Sequence, residues 1–298
     1  MKCYDCPRKC GAQRETSVGV CHAPEAFLVA RIAPHMWEEP PISGVRGSGT
    51  VFFGGCNLGC VFCQNRDIRD GALGEIMDAD ALLDRVKTLI QSGVHNINLV
   101  TPTHYTRALV PFLERLKAHT SLPIVWNSGG YESVESLRML DGLVDIYLPD
   151  FKYASSEMAL YSRAPDYAET AEAAITEMFR QRGGVRFDGD GMMTSGVIVR
   201  HLVLPGGRRD SVAVLDRIAK ALPVSDIRLS LMSQYTPDFV DREKFPTLAR
   251  RVTTFEYQFV LDHAISLGFE GYFQARDSAT ADYTPDFQKT ECNTKKAQ

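Results

Sequence analysis

A chain of 298 residues, 44% hydrophobic and 23% charged, has the balance of a globular protein with a substantial core, which excludes disorder except at the ends. Its net charge of -4 offers no basic face, so nucleic acid is not expected as a partner. There is no apolar run of about 18 residues, and the opening "MKCYDCPRKC" lacks the apolar stretch of a signal peptide, so a cytoplasmic protein with no membrane contact is expected.

Residues 1–48 read as a Cys-rich N-terminal segment in which Cys3, Cys6, Cys10 and Cys21 follow the spacing C-x2-C-x3-C-x10-C. Tight cysteine clusters in a long chain point to metal or redox chemistry rather than to disulfides. Four soft ligands in so short a stretch can close a zinc site or hold an iron-sulfur cluster, and either would fold a peptide that has no core of its own. Reduced structural cysteines are the remaining alternative.

From residue 49 to 276 short β-rich apolar runs alternate with amphipathic stretches. Strands are expected at 50–54, 96–101, 122–128, 143–150, 196–207 and in "DIRLSLMSQ". Helices are expected over 78–93 and around "TRALVPFLERLKAH", "SVESLRML", "AETAEAAITEMFRQRG", "SVAVLDRIAKAL" and "TTFEYQFVLDHAISLG". Six strands separated by helices, with apolar runs suited to burial on both faces, predict an α/β fold with a parallel sheet wound as a full or partial barrel. Residues 277–298 read as a tail, with Cys292 alone in it.

In such folds the loops after the C-terminal ends of the strands form the binding face. "GGCNLGCVFCQN" (54–65) follows the first of the six strands and carries Cys56, Cys60 and Cys63. A C-x3-C-x2-C loop can wrap three thiolates around a [4Fe-4S] cubane and leave one iron without a protein ligand. A zinc site completed by a distant residue, or buried cysteines without metal, are the alternatives. Phe62 can shield such a group or meet a flat ligand.

With an aromatic before the third cysteine, this loop resembles the signature of the radical S-adenosylmethionine enzymes. The resemblance implies a partial (β/α)6 TIM-like barrel and a [4Fe-4S] cluster whose open iron is chelated by S-adenosylmethionine. It implies reductive cleavage of that cosubstrate to a 5'-deoxyadenosyl radical, which abstracts hydrogen from a substrate. "LPDFKY" resembles the Asp-x-Lys element of the branch that activates glycyl-radical enzymes, which makes Asp150 and Lys152 cosubstrate contacts. "IVWNSGGY" is similar to the Thr-Asn-Gly turn of that branch and puts Asn127 and Ser128 beside the cosubstrate. "VRHLVLPGG" matches the Arg-x-x-x-x-Pro-Gly strand of pyruvate formate-lyase activating enzymes. It makes Arg200 the catalytic candidate and a cosubstrate contact, while His201, on the other face of a regular strand, is expected to be structural. Gln234 takes the place of a polar residue near the adenine.

Together with "CPRKCG" and "VTPTHY", these elements are similar to uncharacterised proteins related to pyruvate formate-lyase activating enzyme, from Cys3 to about Ala275. The partners so implied are a flavodoxin- or ferredoxin-type electron donor and a glycyl-radical enzyme as protein substrate. Another protein or a small molecule is the alternative substrate, and a non-catalytic iron-sulfur carrier the alternative function. The chain departs from the pattern after the second strand. Where many members carry a Gly-Gly-Glu turn for the cosubstrate amino group, this chain has Thr101, Thr103 and His104. It also lacks the ferredoxin-like insertion of many activators.

Overall fold

The computed structural model describes residues 2–274 and Phe287. Cys292 and nearly all of the expected tail lie outside the described residues. In chain order the elements are β1 (Phe27–His35), α1 (Pro40–Ser43), β2 (Ser48–Phe53), α2 (Arg66–Arg69), β3 (Glu75–Met77), α3 (Ala79–Gln91), β4 (Ile97–Val100), α4 (Thr106–Lys117), β5 (Ile124–Ser128) and α5 (Val134–Arg138). They continue with β6 (Ile146–Pro149), α6 (Ser156–Ala159), α7 (Tyr167–Arg182), β7 (Arg186–Phe187), β8 (Met193–Leu202), α8 (Arg208–Ala221), β9 (Arg228–Met232), α9 (Thr254–Ser266) and β10 (Gly271–Phe273). No helix among the described residues is long and apolar enough to cross a membrane.

The six expected strands are β2, β4, β5, β6, β8 and β9, and they pair in parallel in that order, with β10 added parallel to β9. Every residue of β2, β4, β5 and β6 is buried, as a sheet covered on both faces requires. One cavity is lined by Phe52, Val100, Asn127, Arg200, Ser230 and Tyr272, which come from strands along the whole row, so the sheet curls around it as a partial barrel. Side chains cap two of the longer helices. Asp78 accepts from the backbone of Asp80 and Ala81 to start α3, and Thr253 and Glu256 form a reciprocal capping box on α9.

The sheet begins earlier than the alternation predicts. β1 lies within the span read as the Cys-rich segment and pairs antiparallel with β2, His35 standing opposite Ser48. Because β1 runs against the parallel strands, the chain after His35 enters at their N-terminal ends, opposite the end from which the cysteine loop leaves β2.

Gly130 locks the loop after β5 onto the end of β6. Its φ is +73°, and a Cβ there would lie 2.0 Å from the Asp150 carbonyl oxygen and 3.0 Å from Tyr167 Oη. Gly130→Ala therefore combines backbone strain with a clash that only backbone movement relieves, and is expected to destabilise the protein by about 2–4 kcal/mol. Urea unfolding followed by circular dichroism checks this, and an unchanged midpoint would contradict the packing described.

Candidate functional site

The cysteine loop is pinned on every side before any ligand is considered. The Cys56 amide donates to the Cys21 carbonyl at 3.0 Å, and the Gly55 amide to the Ile68 carbonyl at 2.7 Å. Gly55 has φ +85°, and a Cβ there would sit 2.4 Å from the same Cys21 oxygen, so close approach of the N-terminal segment requires glycine. Arg8 reaches across from that segment, its Nε donating to the Asn57 carbonyl at 2.8 Å and its Nη1 to the Arg163 carbonyl at 2.5 Å. Asn57 in turn donates from Nδ2 to the Tyr131 carbonyl at 2.7 Å.

Cys56, Cys60, Cys63 and Phe62 all line the cavity, whose volume is about 370 Å³. Cys60 Sγ lies 2.8 Å from Ser162 Oγ, and the Leu58 amide donates to Cys56 Sγ at 3.4 Å. Burial, and next the neighbouring Cys60, push the thiols of Cys56 and Cys63 up to about 12. Thiols at Cys56 and Cys63 whose ionisation is so disfavoured fit a cationic iron centre, which would reverse that preference. Among the described residues no three potential ligands stand close enough to share a single metal ion. A four-iron cubane spreads its thiolates more widely than one ion does. Phe62 is buried and meets Tyr235 edge-on at 5.9 Å.

Next to the sulfurs is a line of charge. Lys152 Nζ donates to Asp150 Oδ2, and Arg200 Nε donates to Asp150 Oδ1 at 2.9 Å. Burial would lower the Lys152 ammonium, but Asp150 and Cys60 more than compensate and keep it charged. Arg200 also donates from Nη2 to Asn127 Oδ1 at 2.6 Å and has Nη1 3.5 Å from Glu38 Oε2. Its guanidinium is thus shared among three partners and organises the wall. Tyr167 Oη lies 2.8 Å from the carbonyls of both Gly129 and Asp150 and accepts from the Lys152 amide at 3.1 Å, tying the ends of β5 and β6 together.

The remaining expected residues sort by orientation. Ser128 lines the cavity, but its hydroxyl donates to Glu132 at 2.8 Å. Gln234 also lines it, its Oε1 accepting from Gln274 at 3.1 Å. His201 is buried on the opposite face of β8 and bonds the Phe151 carbonyl through Nδ1 at 2.6 Å. Of the three residues standing in place of the Gly-Gly-Glu turn, only Thr101 lines the cavity. It does so at φ +57°, a strained backbone for a β-branched side chain. Thr103 donates to Glu132 at 3.1 Å, and His104, whose imidazole burial pushes down to about 3, stands 3.0 Å from the Gly54 carbonyl.

Glu38 and Glu39 are the residues that the sequence did not single out. Glu38 Oε1 accepts from Asn98 at 3.0 Å and from Asn127 at 3.1 Å, and both glutamates line the cavity. The only local signal is an acidic pair set between Trp37 and the prolines Pro40 and Pro41, without periodicity.

The N-terminal cysteines gather beside the loop. Cys6 and Cys21 are buried, and the Cys6 thiol is pushed up to about 11 by burial and further by the sulfurs of Cys21, Cys3 and Cys10. Arg14 Nη2 donates to Cys21 Sγ at 3.4 Å.

An uncharacterized protein of Methanocaldococcus jannaschii, MJ0674, is 29% identical over 272 residues, covering 88% of this chain and 74% of that protein. Among solved structures, methylornithine synthase (PylB) superposes with a TM-score of 0.49 at 15% identity, over 79% of this chain and 74% of that one. The FeFe-hydrogenase maturase HydG from Carboxydothermus hydrogenoformans does so with a TM-score of 0.43 at 13% identity, over 80% of this chain and 60% of that one. The family model of the radical SAM superfamily matches residues 50–206, more than half of the sequence and the span that holds the three-cysteine loop and the charged line, so the chain belongs to the radical SAM superfamily of [4Fe-4S]- and S-adenosylmethionine-dependent enzymes.

Proposed function

We propose that the chain is a radical SAM enzyme of the kind that activates glycyl-radical enzymes, with the cluster on Cys56, Cys60 and Cys63 and a backbone glycine of a partner enzyme as hydrogen donor. The observation that carries the reading is the single cavity in which those three sulfurs meet the Lys152–Asp150–Arg200 line. The glycine substrate is supported by the likeness of "LPDFKY" and "RHLVLPG" to the activating branch.

Cys56, Cys60 and Cys63 would hold the cluster, which would supply the electron for reductive cleavage of the cosubstrate. Lys152, held charged, is the partner for the cosubstrate carboxylate, and Asp150 for its hydroxyl or amino groups. Arg200 acts by positioning Asp150 and Asn127, and adds a fixed positive field to the wall. Phe62, with Tyr235 beside it, excludes water from the sulfurs, while Ser128 and Gln234 set the shape and polarity of the rim. For the N-terminal cysteines the proposal is an iron-sulfur cluster beside the cluster loop, because among the described residues they do not converge on a single ion such as zinc, and a flavodoxin- or ferredoxin-type donor reduces the enzyme. A second reading, modification of a small molecule, is favoured by one specific feature: Glu38, Glu39 and Ser230 line the same cavity as the three cysteines, which gives a small polar molecule its own contacts beside them.

The test is production of 5'-deoxyadenosine by anaerobically reconstituted, dithionite-reduced protein given S-adenosylmethionine, with iron and zinc counted in the same sample. Product above the protein-free background is expected. A full, reducible cluster that yields none would overturn the assignment.

A further inference from the structure

Three carboxylates, Glu38, Glu39 and Asp150, share the cavity wall with three cations, Arg69, Lys152 and Arg200, of which Arg69 is taken up by Asp70 outside the cavity. Asp150 is matched by Lys152 and Arg200, and Glu38 by Arg200 and two asparagine amides. Glu39 is the one left over. Its Oε2 is buried without a hydrogen-bond partner among the described residues, and the groups nearest the carboxylate are the Ser230 hydroxyl and the field of Arg200, already shared elsewhere. An unmatched buried carboxylate is costly and is retained where something completes it.

The position is informative. Glu38 and Glu39 follow β1 into the barrel at the N-terminal ends of the parallel strands, whereas the cysteines lie beyond the C-terminal end of β2. The charged line therefore runs from the sulfurs through Lys152, Asp150 and Arg200 down to the glutamates. A molecule whose reacting carbon faces the sulfurs would reach the glutamates with its distal end.

We infer that Glu38 and Glu39 form the recognition site for a cationic group, an ammonium or a guanidinium, carried by the hydrogen-donor substrate. This rests on the radical reading above for the word donor, but the site itself is a property of these residues. A guanidinium fits best, because its planar fork can bond Glu39 and the Ser230 hydroxyl at once. Burial raises both glutamate carboxyls above their ordinary range, so the charge that Arg200 brings to this pair does not offset their burial.

The test uses reconstituted full-length protein titrated calorimetrically, at fixed ionic strength, with n-butylguanidinium chloride, n-butylammonium chloride and the neutral isostere 1-pentanol. S-adenosylmethionine is titrated into the same preparation. Saturable binding of at least one cation, about 10-fold or more tighter than the alcohol, is expected, and Glu39→Gln, which keeps shape and removes charge, should abolish that preference. Equal binding of cation and alcohol by the wild type would overturn the inference without recourse to any variant, as would a preference that survives Glu39→Gln. Cation preference without S-adenosylmethionine binding would uphold the site and defeat the radical reading. S-adenosylmethionine binding without cation preference would do the reverse.

Discussion

Cys60→Ala protein, reconstituted with iron and sulfide under anaerobic conditions, is expected to lose the cluster at the barrel mouth and more than ~100-fold of its S-adenosylmethionine cleavage. Loss of an outer partner to a metal ligand commonly lowers affinity or activity 10–100-fold, and loss of the ligand itself must exceed that. Cys60 is the middle sulfur of the loop: its neighbours Cys56 and Cys63 both respond to it, and its own Sγ lies against Ser162 at the cavity wall. Truncation to Ala leaves a small void beside Ser162 and Tyr153, which are already bonded to each other at 2.7 Å, so the fold is expected to survive. The N-terminal set shares none of its side chains with the loop and touches it through the backbone contact of Cys21 with Cys56. Metal held there should therefore remain in the Cys60→Ala protein. Equal iron content and undiminished cleavage in that variant would sink the assignment of the three cysteines.

Apart from the short β10, none of whose residues is buried, the parallel strands were legible because each is largely buried and so reads as a short apolar run between amphipathic helices. β1 was not. "FLVARIAPH" is interrupted by Arg31 and Pro34 and follows a cysteine-rich stretch, and its partner in the sheet is set by tertiary pairing rather than by local pattern. The same split runs through the site. The cysteine loop, Asp150, Lys152, Asn127 and Arg200 stand at strand ends in recognisable spacing. Glu38 reaches the same cavity from a loop 89 residues before Asn127, while Tyr167 braces the ends of β5 and β6 from the start of α7, and no spacing announces either. Direction within a residue was also hidden: Ser128 lines the cavity while its hydroxyl turns to Glu132, a carboxylate satisfied by three donors from Thr103, Trp126 and Ser128.

Asp150→Asn is expected to destabilise the protein by about 3–5 kcal/mol near neutral pH and to weaken cosubstrate binding with it, because one carboxylate serves two buried cations. The amide keeps one acceptor and turns a donor toward Lys152 or Arg200, so that one of the two buried cations is left facing another donor with no carboxylate to neutralise it. Arg200 would retain Glu38 at 3.5 Å and Asn127 at 2.6 Å, whereas Lys152 would lose its carboxylate outright. The pH dependence separates this from a mere packing defect. Burial on its own would raise the Asp150 carboxyl, but Arg200 and then Lys152 outweigh it and hold the group below its usual value. A carboxyl depressed in the folded state contributes stability that is fully present above its unfolded value near ~3.9 and is lost as the pH falls through the folded one. The gap in unfolding free energy between wild type and Asp150→Asn, measured by urea denaturation, should therefore be constant from neutral pH down to about 5 and should narrow below about 4, as protonation makes the wild type resemble the amide. A gap of the same size at pH 3 would mean that Asp150 acts through shape alone, and the charged line that joins the cysteines to the floor of the barrel would have lost its central member.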